Sequence, residues 1–159
     1  DGAVIYCQSS SSVTATNCTF SRNNAEGYGG VIDCGDSDAT LNNCILWGNT
    51  AYRGGDEIYI YNSNSYCILN YCCVDNTGYG GATSNITENN CIHSHPRFVD
   101  VVGGDYHLQA GSPCIDAGDN SLVPSGVTTD LDGNQRIVDG DDPPDGVATV
   151  DIGAYEYQP

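Results

Sequence analysis

Asn17-Cys18-Thr19-Phe20-Ser21-Arg22-Asn23-Asn24-Ala25 returns 26 residues later as Asn43-Cys44-Ile45-Leu46-Trp47-Gly48-Asn49-Thr50-Ala51. A second matched pair precedes them, Gly2-Ala3-Val4-Ile5-Tyr6-Cys7 and Gly29-Gly30-Val31-Ile32-Asp33-Cys34, offset by 27. A weaker third copy follows, in which Gly54-Gly55 leads into Glu57-Ile58-Tyr59-Ile60-Tyr61 and Asn76-Thr77 echoes Asn49-Thr50. Two motifs recurring in the same order mark an internal repeat with a period of about 26–27 residues. Each unit holds short alternating segments separated by Gly, Asn, Ser and Asp. No stretch carries apolar residues at i, i+3, i+4 and i+7 over a stable helical length. The segments therefore read as strands, and a short period built of two or three strands is one coil of a solenoid.

The expected fold is all-β, a right-handed parallel β-helix of about four coils. Residues 1–95 form the coils, and residues 96–159 form an acidic, loop-rich C-terminal segment that completes and caps them. Coils stack at the strand spacing of ~4.8 Å, so matched residues lie above one another. Asp33 occupies the place of Tyr6, which assigns that position to solvent. Ile5, Cys7, Ile32 and Cys34 then face inward, as do Cys18, Phe20, Cys44 and Leu46. Asn17 under Asn43, and Asn23 under Asn49 and Asn76, are expected as side-chain ladders at turns.

Composition limits the function. The 159 residues include 21 acidic side chains and four basic ones, all Arg, for a net charge of −17. Phosphate backbones and anionic membrane surfaces need the opposite sign, so neither nucleic acid nor an acidic membrane is an expected partner. No apolar run approaches the ~18–20 residues of a membrane span. Nine cysteines, no methionine and abundant Gly, Asn and Ser fit an oxidising setting outside the cell. The sequence opens directly in a strand motif, as expected of a processed chain or a section cut from a longer one. No capping sequence precedes Gly2, so the first coil is expected to be covered by missing sequence or by a partner.

The NCxFxxN and GGxIxC segments resemble the β-helix repeats of bacterial and archaeal cell-surface proteins. Beyond residue 95 the period fades. Gly104–Leu108 (GDYHL), Ser112–Gly118 (SPCIDAG), Asp130–Asn134 (DLDGN) and Val150–Glu156 (VDIGAYE) then follow in order. That string is similar to the C-terminal region of secreted β-helix proteins of the choice-of-anchor type. The resemblance spans nearly the whole chain and implies a secreted or surface-attached β-helix, generally without an assigned activity.

Several constellations carry candidate chemistry. Between Asp116 and Glu156 lie ten carboxylates and one basic residue, Arg136. Asp130, Asp132, Asp139, Asp141 and Asp145 are candidate Ca²⁺ ligands, since this hard cation gathers six to eight oxygens. The loop pattern from Thr128 is incomplete, however, and a solvated acidic loop is the alternative. Cys7 with Cys34 and Cys18 with Cys44 sit at disulfide distance if stacked, with a ladder of free thiols as the alternative. Asn85 and Asn17 head N-x-[ST] sequons and are candidate glycosylation sites. His93 and His95 lie on one face if extended, without an evident third metal ligand. Val4, Ile5 and Tyr6 form the candidate self-assembly edge, since a contact between two unlike surfaces repeats into fibres when it does not close.

Catalysis is not expected. Lyase chemistry at an acidic sugar needs a base, and the chain has no lysine. The coils offer only scattered carboxylates, with Asp33 and Asp56 as the one plausible neighbouring pair. The resulting expectation is a non-catalytic, structural or adhesive extracellular solenoid, whose partners are copies of itself, head to tail, or cell-surface glycans. The alternatives are a section of a larger surface adhesin and a Ca²⁺-dependent carbohydrate-binding or carbohydrate-cleaving β-helix.

Overall fold

A computed structural model describes residues 3–140 and 143–159. The first coil contributes strands β1 (Ile5–Gln8), β2 (Ser12–Thr16), β3 (Thr19–Ser21) and β4 (Asn24–Ala25). The second contributes β5 (Ile32–Gly35), β6 (Asp38–Asn42), β7 (Ile45–Trp47) and β8 (Thr50–Ala51). The third holds β9 (Ile58–Ile60), β10 (Tyr66–Asn70) and β11 (Cys73–Val74), and the fourth β12 (Tyr79–Gly81) and β13 (Ile86–Asn89). All pair in parallel, giving sheets in the orders β1-β5-β9-β12, β2-β6-β10-β13 and β3-β7-β11, with β4 beside β8. Ile92 extends the third sheet through a parallel bridge to Cys73. These are the stacked coils expected from the repeat.

The register explains the motifs. Ile5, Ile32, Ile58 and Tyr79 stack in one row, and Cys7, Cys34 and Ile60 in another, both facing the interior. Leu41, Leu46, Ile58, Ile60, Leu69 and Val74 are wholly buried within the solenoid. Coils turn from the second sheet to the third through left-handed backbone at Asn17, Asn43, Tyr71 and Asn90, with φ of 53°, 49°, 51° and 53°. Asparagine tolerates that conformation better than most residues, which accounts for the Asn of the Asn-Cys motif. The cysteine that follows points inward, so Cys18, Cys44, Cys72 and Cys91 form a ladder, one per coil.

That ladder corrects the disulfide expectation. All nine cysteines are free thiols, including the Cys7–Cys34 and Cys18–Cys44 pairs. Cys44 donates to the carbonyls of Asn42 and Ala15 at 3.2 and 3.6 Å, and Cys72 to those of Asn70 and Leu41, both at 3.4 Å. Side chains on in-register parallel strands leave in the same direction, whereas a disulfide wants a dihedral near ±90° between converging sulfurs. The thiols here satisfy backbone carbonyls instead.

Asp33 is a second correction. It does project from the outer face of the first sheet, yet only 4% of its surface is exposed. The third concerns the turn ladders. Asn23 donates to Asn49 Oδ1 at 2.8 Å as expected, but Asn76 lies in a 3-10 turn (Asn76–Gly78). Buried Glu57 takes its place, accepting from Asn49 Nδ2 at 2.6 Å. An unexpected amide ladder runs outside the second sheet, Asn89 to Asn70 at 2.8 Å and Asn70 to Asn42 at 2.9 Å.

The segment after Pro96 lies along the flank of the coils. Strands β14 (Phe98–Asp100) and β15 (Asp105–Leu108) pair antiparallel, as do β16 (Ile137–Val138) and β17 (Thr149–Val150). Phe98, Leu108, Cys114 and Ile152 bury against Ile45 and Cys73, on the outward face of the third sheet, forming a second core. Gly153 makes this contact possible. Its φ is +115°, and a Cβ there would stand 2.8 Å from Ile45 Cδ1 and 2.9 Å from Thr19 Oγ1. Among the described residues, β1, β2 and β3 end their sheets without a further strand, and Ile5, Val13, Ala15 and Phe20 are only partly covered there.

Candidate functional site

The outer face of the first sheet carries the densest aromatic group. Outward residues alternate along a strand, so Tyr6, Asp33 and Tyr59 form one row across three coils, and Gln8, Gly35 and Tyr61 the next. Tyr28, from the turn before β5, packs on Tyr59 with ring centroids 4.2 Å apart, and its ring is 5.4 Å from that of Tyr61. Tyr59 and Tyr61 meet edge to face at 5.2 Å. Asp33 stands between Tyr6 and Tyr59 in its row and is buried, its Oδ1 without a hydrogen-bond partner. Burial pushes its carboxyl up to about 6. Beside this row lies a cleft of about 390 Å³ bounded by Tyr6, Tyr61, Gln8, Ser9, Asp36 and Asn62, with Gly35 among its lining residues. Asn62 Nδ2 donates to Asp36 Oδ1 at 3.1 Å, which fixes one end of the cleft.

A second constellation joins the C-terminal segment to the coils. Buried Arg136 donates to the carbonyls of Ala154 at 3.0 Å, Asp151 at 3.4 Å and Gly153. The amide oxygen of Asn17, turned toward the guanidinium, accepts from Nε at 2.7 Å and Nη2 at 2.6 Å. Asn43 completes the seam, donating to Asp119 O at 3.1 Å and accepting from Asp119 N at 2.9 Å. The two asparagines of the Asn-Cys motif thus hold the C-terminal segment.

Three buried carboxylates surround this arginine, and Glu156 Oε2 stands 3.8 Å from its Nε. Burial, then the neighbouring Asp151, raises the Glu156 carboxyl to about 8, and burial raises Asp151 to about 6. Burial also works to raise Asp130, but the backbone N–H groups of Glu156, Asn134 and Asp132 outweigh it and hold this carboxyl below its ordinary value. One guanidinium cannot balance three ionised carboxylates cheaply in a buried site, so the cluster keeps a proton near neutral pH.

The chain's similarities bear on both constellations. The family description "Right handed beta helix region" matches residues 1–115. The chain belongs to this family. A curated relative of the β-helix, the probable autotransporter YfaL of Escherichia coli K12, is 32% identical over 118 residues. That match covers 64% of this chain and 9% of the relative, so the chain spans under a tenth of the length of the protein it matches. No solved structure is significantly similar.

The β-helix distributes the remaining candidate residues widely. Asp130 accepts from Asp132 N, Asn134 N and Glu156 N at 2.8–3.1 Å, which commits its oxygens to a turn. Asp132 Oδ2 is 2.7 Å from His107 Nε2, and Asp105 Oδ1 is 2.6 Å from His107 Nδ1. The hydrogen bonds to Asp105 and then Asp132 raise the His107 pKa. Asp139 accepts from Gly146 N and Asp145 from Val147 N, both at 2.8 Å, while Asp141 lies outside the described residues. Among the described residues no three His, Cys, Asp or Glu side chains group as a metal set. Asp116 and Asp139 each keep one buried oxygen without a partner.

His93 Nε2 is 3.2 Å from Glu88, and His95 Nδ1 accepts from Arg97 N at 2.9 Å, so the two rings take separate partners. Asn85 donates to Ser65 O at 2.9 Å in a half-buried turn. Asn17 is half-buried and engaged with Arg136. Ile5 and Tyr6 lie on edge strand β1 and Val4 just ahead of it, with Val4 and Tyr6 both 48% exposed. Asp56 accepts from Ala51 N at 2.8 Å in a turn, while Asp33 is buried on the first sheet.

Sequence reading did not place Tyr28, Tyr59 and Tyr61 together or assign Arg136 its staple. The alternation Tyr59-Ile60-Tyr61, aligned above Asp33-Cys34-Gly35 and Tyr6-Cys7-Gln8, held the first signal. A lone arginine in an acidic run held the second.

Proposed function

We propose that this β-helix is an extracellular, non-catalytic structural and adhesive solenoid that extends head to tail through the edge of its first coil. The observation that carries this reading is that, among the described residues, β1, β2 and β3 are edge strands of one coil, above a half-covered apolar interior. An unpaired row of N–H and C=O groups is a template for another strand. The commitment of acidic side chains to turns and to Arg136 supports a structural use of the C-terminal segment. The similarity to a probable autotransporter supports a location outside the cell. Sedimentation of the purified chain tests the reading. Association should grow with concentration and vanish in Tyr6→Pro: the Ile5 N–H is spent on Val31 O at 2.8 Å in the next coil, so by strand alternation the Tyr6 N–H is the donor turned to the edge. Equal association in the variant contradicts pairing at β1.

A second reading is favoured by the 9% coverage of the autotransporter. Here the chain is a section of a longer surface adhesin, and the edge strands meet a neighbouring coil of the same polypeptide. A chain that stays monomeric at every concentration supports this reading over the first.

A further inference from the structure

We propose that the cleft between Tyr6 and Tyr61 binds an uncharged saccharide, of one or two sugar units at a time, from a glycan outside the cell. The proposal deepens the adhesive reading and rests on it.

Shape comes first. In the outward row Gln8-Gly35-Tyr61, glycine stands where neighbouring coils carry long side chains. The place its Cβ would take is 3.8 Å from Tyr61 Cβ and 3.9 Å from Gln8 Cγ. The missing side chain opens the cleft of about 390 Å³, within the ~300–1,000 Å³ usual for small-molecule sites. Tyr6 and Tyr61 are half-exposed, at 48% and 52%, and both rings line the space. Tyr61 is braced by Tyr59 and Tyr28, so little rotamer freedom remains to be lost when a ligand stacks on it.

Chemistry comes second. A sugar ring offers an apolar C–H face for an aromatic ring and a rim of hydroxyls. The cleft offers the matching pair, tyrosine walls and a rim of Gln8, Ser9, Asp36 and Asn62. Asp36 already accepts from Asn62, which orients both toward a hydroxyl partner. Among the described residues no cationic side chain lines the cleft, and the chain carries −17 overall, which disfavours uronic acids, sialic acids and phosphorylated sugars. A quaternary ammonium would also suit tyrosine and carboxylate, but four polar rim residues suit a polyhydroxylated ligand better.

Calorimetric titration of the whole chain tests this. The probes are neutral tetrasaccharides of glucose, mannose, galactose and N-acetylglucosamine, with tetragalacturonate and choline alongside. At least one neutral tetrasaccharide should bind, tetragalacturonate should not, and Tyr61→Ala should weaken binding by at least about tenfold. Gly35→Leu should abolish it by filling the cleft, since the backbone at this position is not left-handed and the nearest atoms leave ordinary contact distance. Unchanged circular dichroism in Gly35→Leu separates a filled cleft from a lost fold. Binding that survives Gly35→Leu, binding of choline alone, or binding of none of the probes overturns the proposal. Concentration-dependent association, read on the same samples, reports separately on the solenoid reading, which stands or falls without the saccharide.

Discussion

Tyr71 occupies a turn position that asparagine fills in the other three coils, with φ of 51°. Left-handed backbone costs an ordinary L-residue ~1–2 kcal/mol, and asparagine less. Tyr71→Asn should therefore stabilise the chain by about 1 kcal/mol, read as a higher urea midpoint at constant slope; a lower midpoint would show that the Tyr71 ring contributes more than the turn. Arg136 is the opposite case. Arg136→Met leaves the carbonyls of Asp151, Gly153 and Ala154 without their donor and the buried carboxylates around it without their cation, and breaking a buried pair costs ~3–5 kcal/mol. Chemical denaturation should show that loss, with proteolysis first cutting the segment after Pro96. A loss below 1 kcal/mol would mean that the seam is held by Asn43 and the second core alone.

At the scale of strands and segments, the coils were legible because register in a parallel solenoid is written into sequence spacing. Ile5, Ile32 and Ile58 recur at nearly constant offset and meet as strand partners. The outward environment of Asp33 was not legible in the same way. This residue stands between tyrosines of two coils, beside another from a turn, and their meeting depends on ring orientation rather than period. The disulfide expectation failed for a related reason, since spacing fixes distance between stacked cysteines but not the angle between their side chains. The flank was harder still. Residues 96–159 form two antiparallel pairs without a repeat, and their place on Ile45 and Cys73 is set by residues far apart in sequence. Leu46, wholly buried between coils, should mark the strength of the first core. Leu46→Ala should cost about 2–5 kcal/mol in equilibrium unfolding, and a loss below about 1 kcal/mol would mean that the coils collapse around the cavity.

Across the whole molecule, four buried carboxylates share one sign of shift. Burial raises Glu156 to about 8, Glu57 to about 7, and Asp33 and Asp151 to about 6. A carboxyl whose folded pKa exceeds its unfolded value binds its proton more tightly when folded. Its contribution is complete below the unfolded value, near 4, and is lost as pH rises through the folded value. His107, also shifted upward, acts in the same direction. The thermal midpoint should thus fall from pH 4.5 to pH 8.5, and Glu57→Gln should flatten the part of that fall below pH 7. A midpoint that rises with pH would contradict the buried, protonated state assigned to these groups.

The measurement that bears most directly on the solenoid's role is electron microscopy of the purified chain at neutral pH beside the Tyr6→Pro variant. Head-to-tail pairing at β1 predicts regular fibres one solenoid wide in the native chain and dispersed particles in the variant. Dispersed particles in both, or fibres in both, would contradict it.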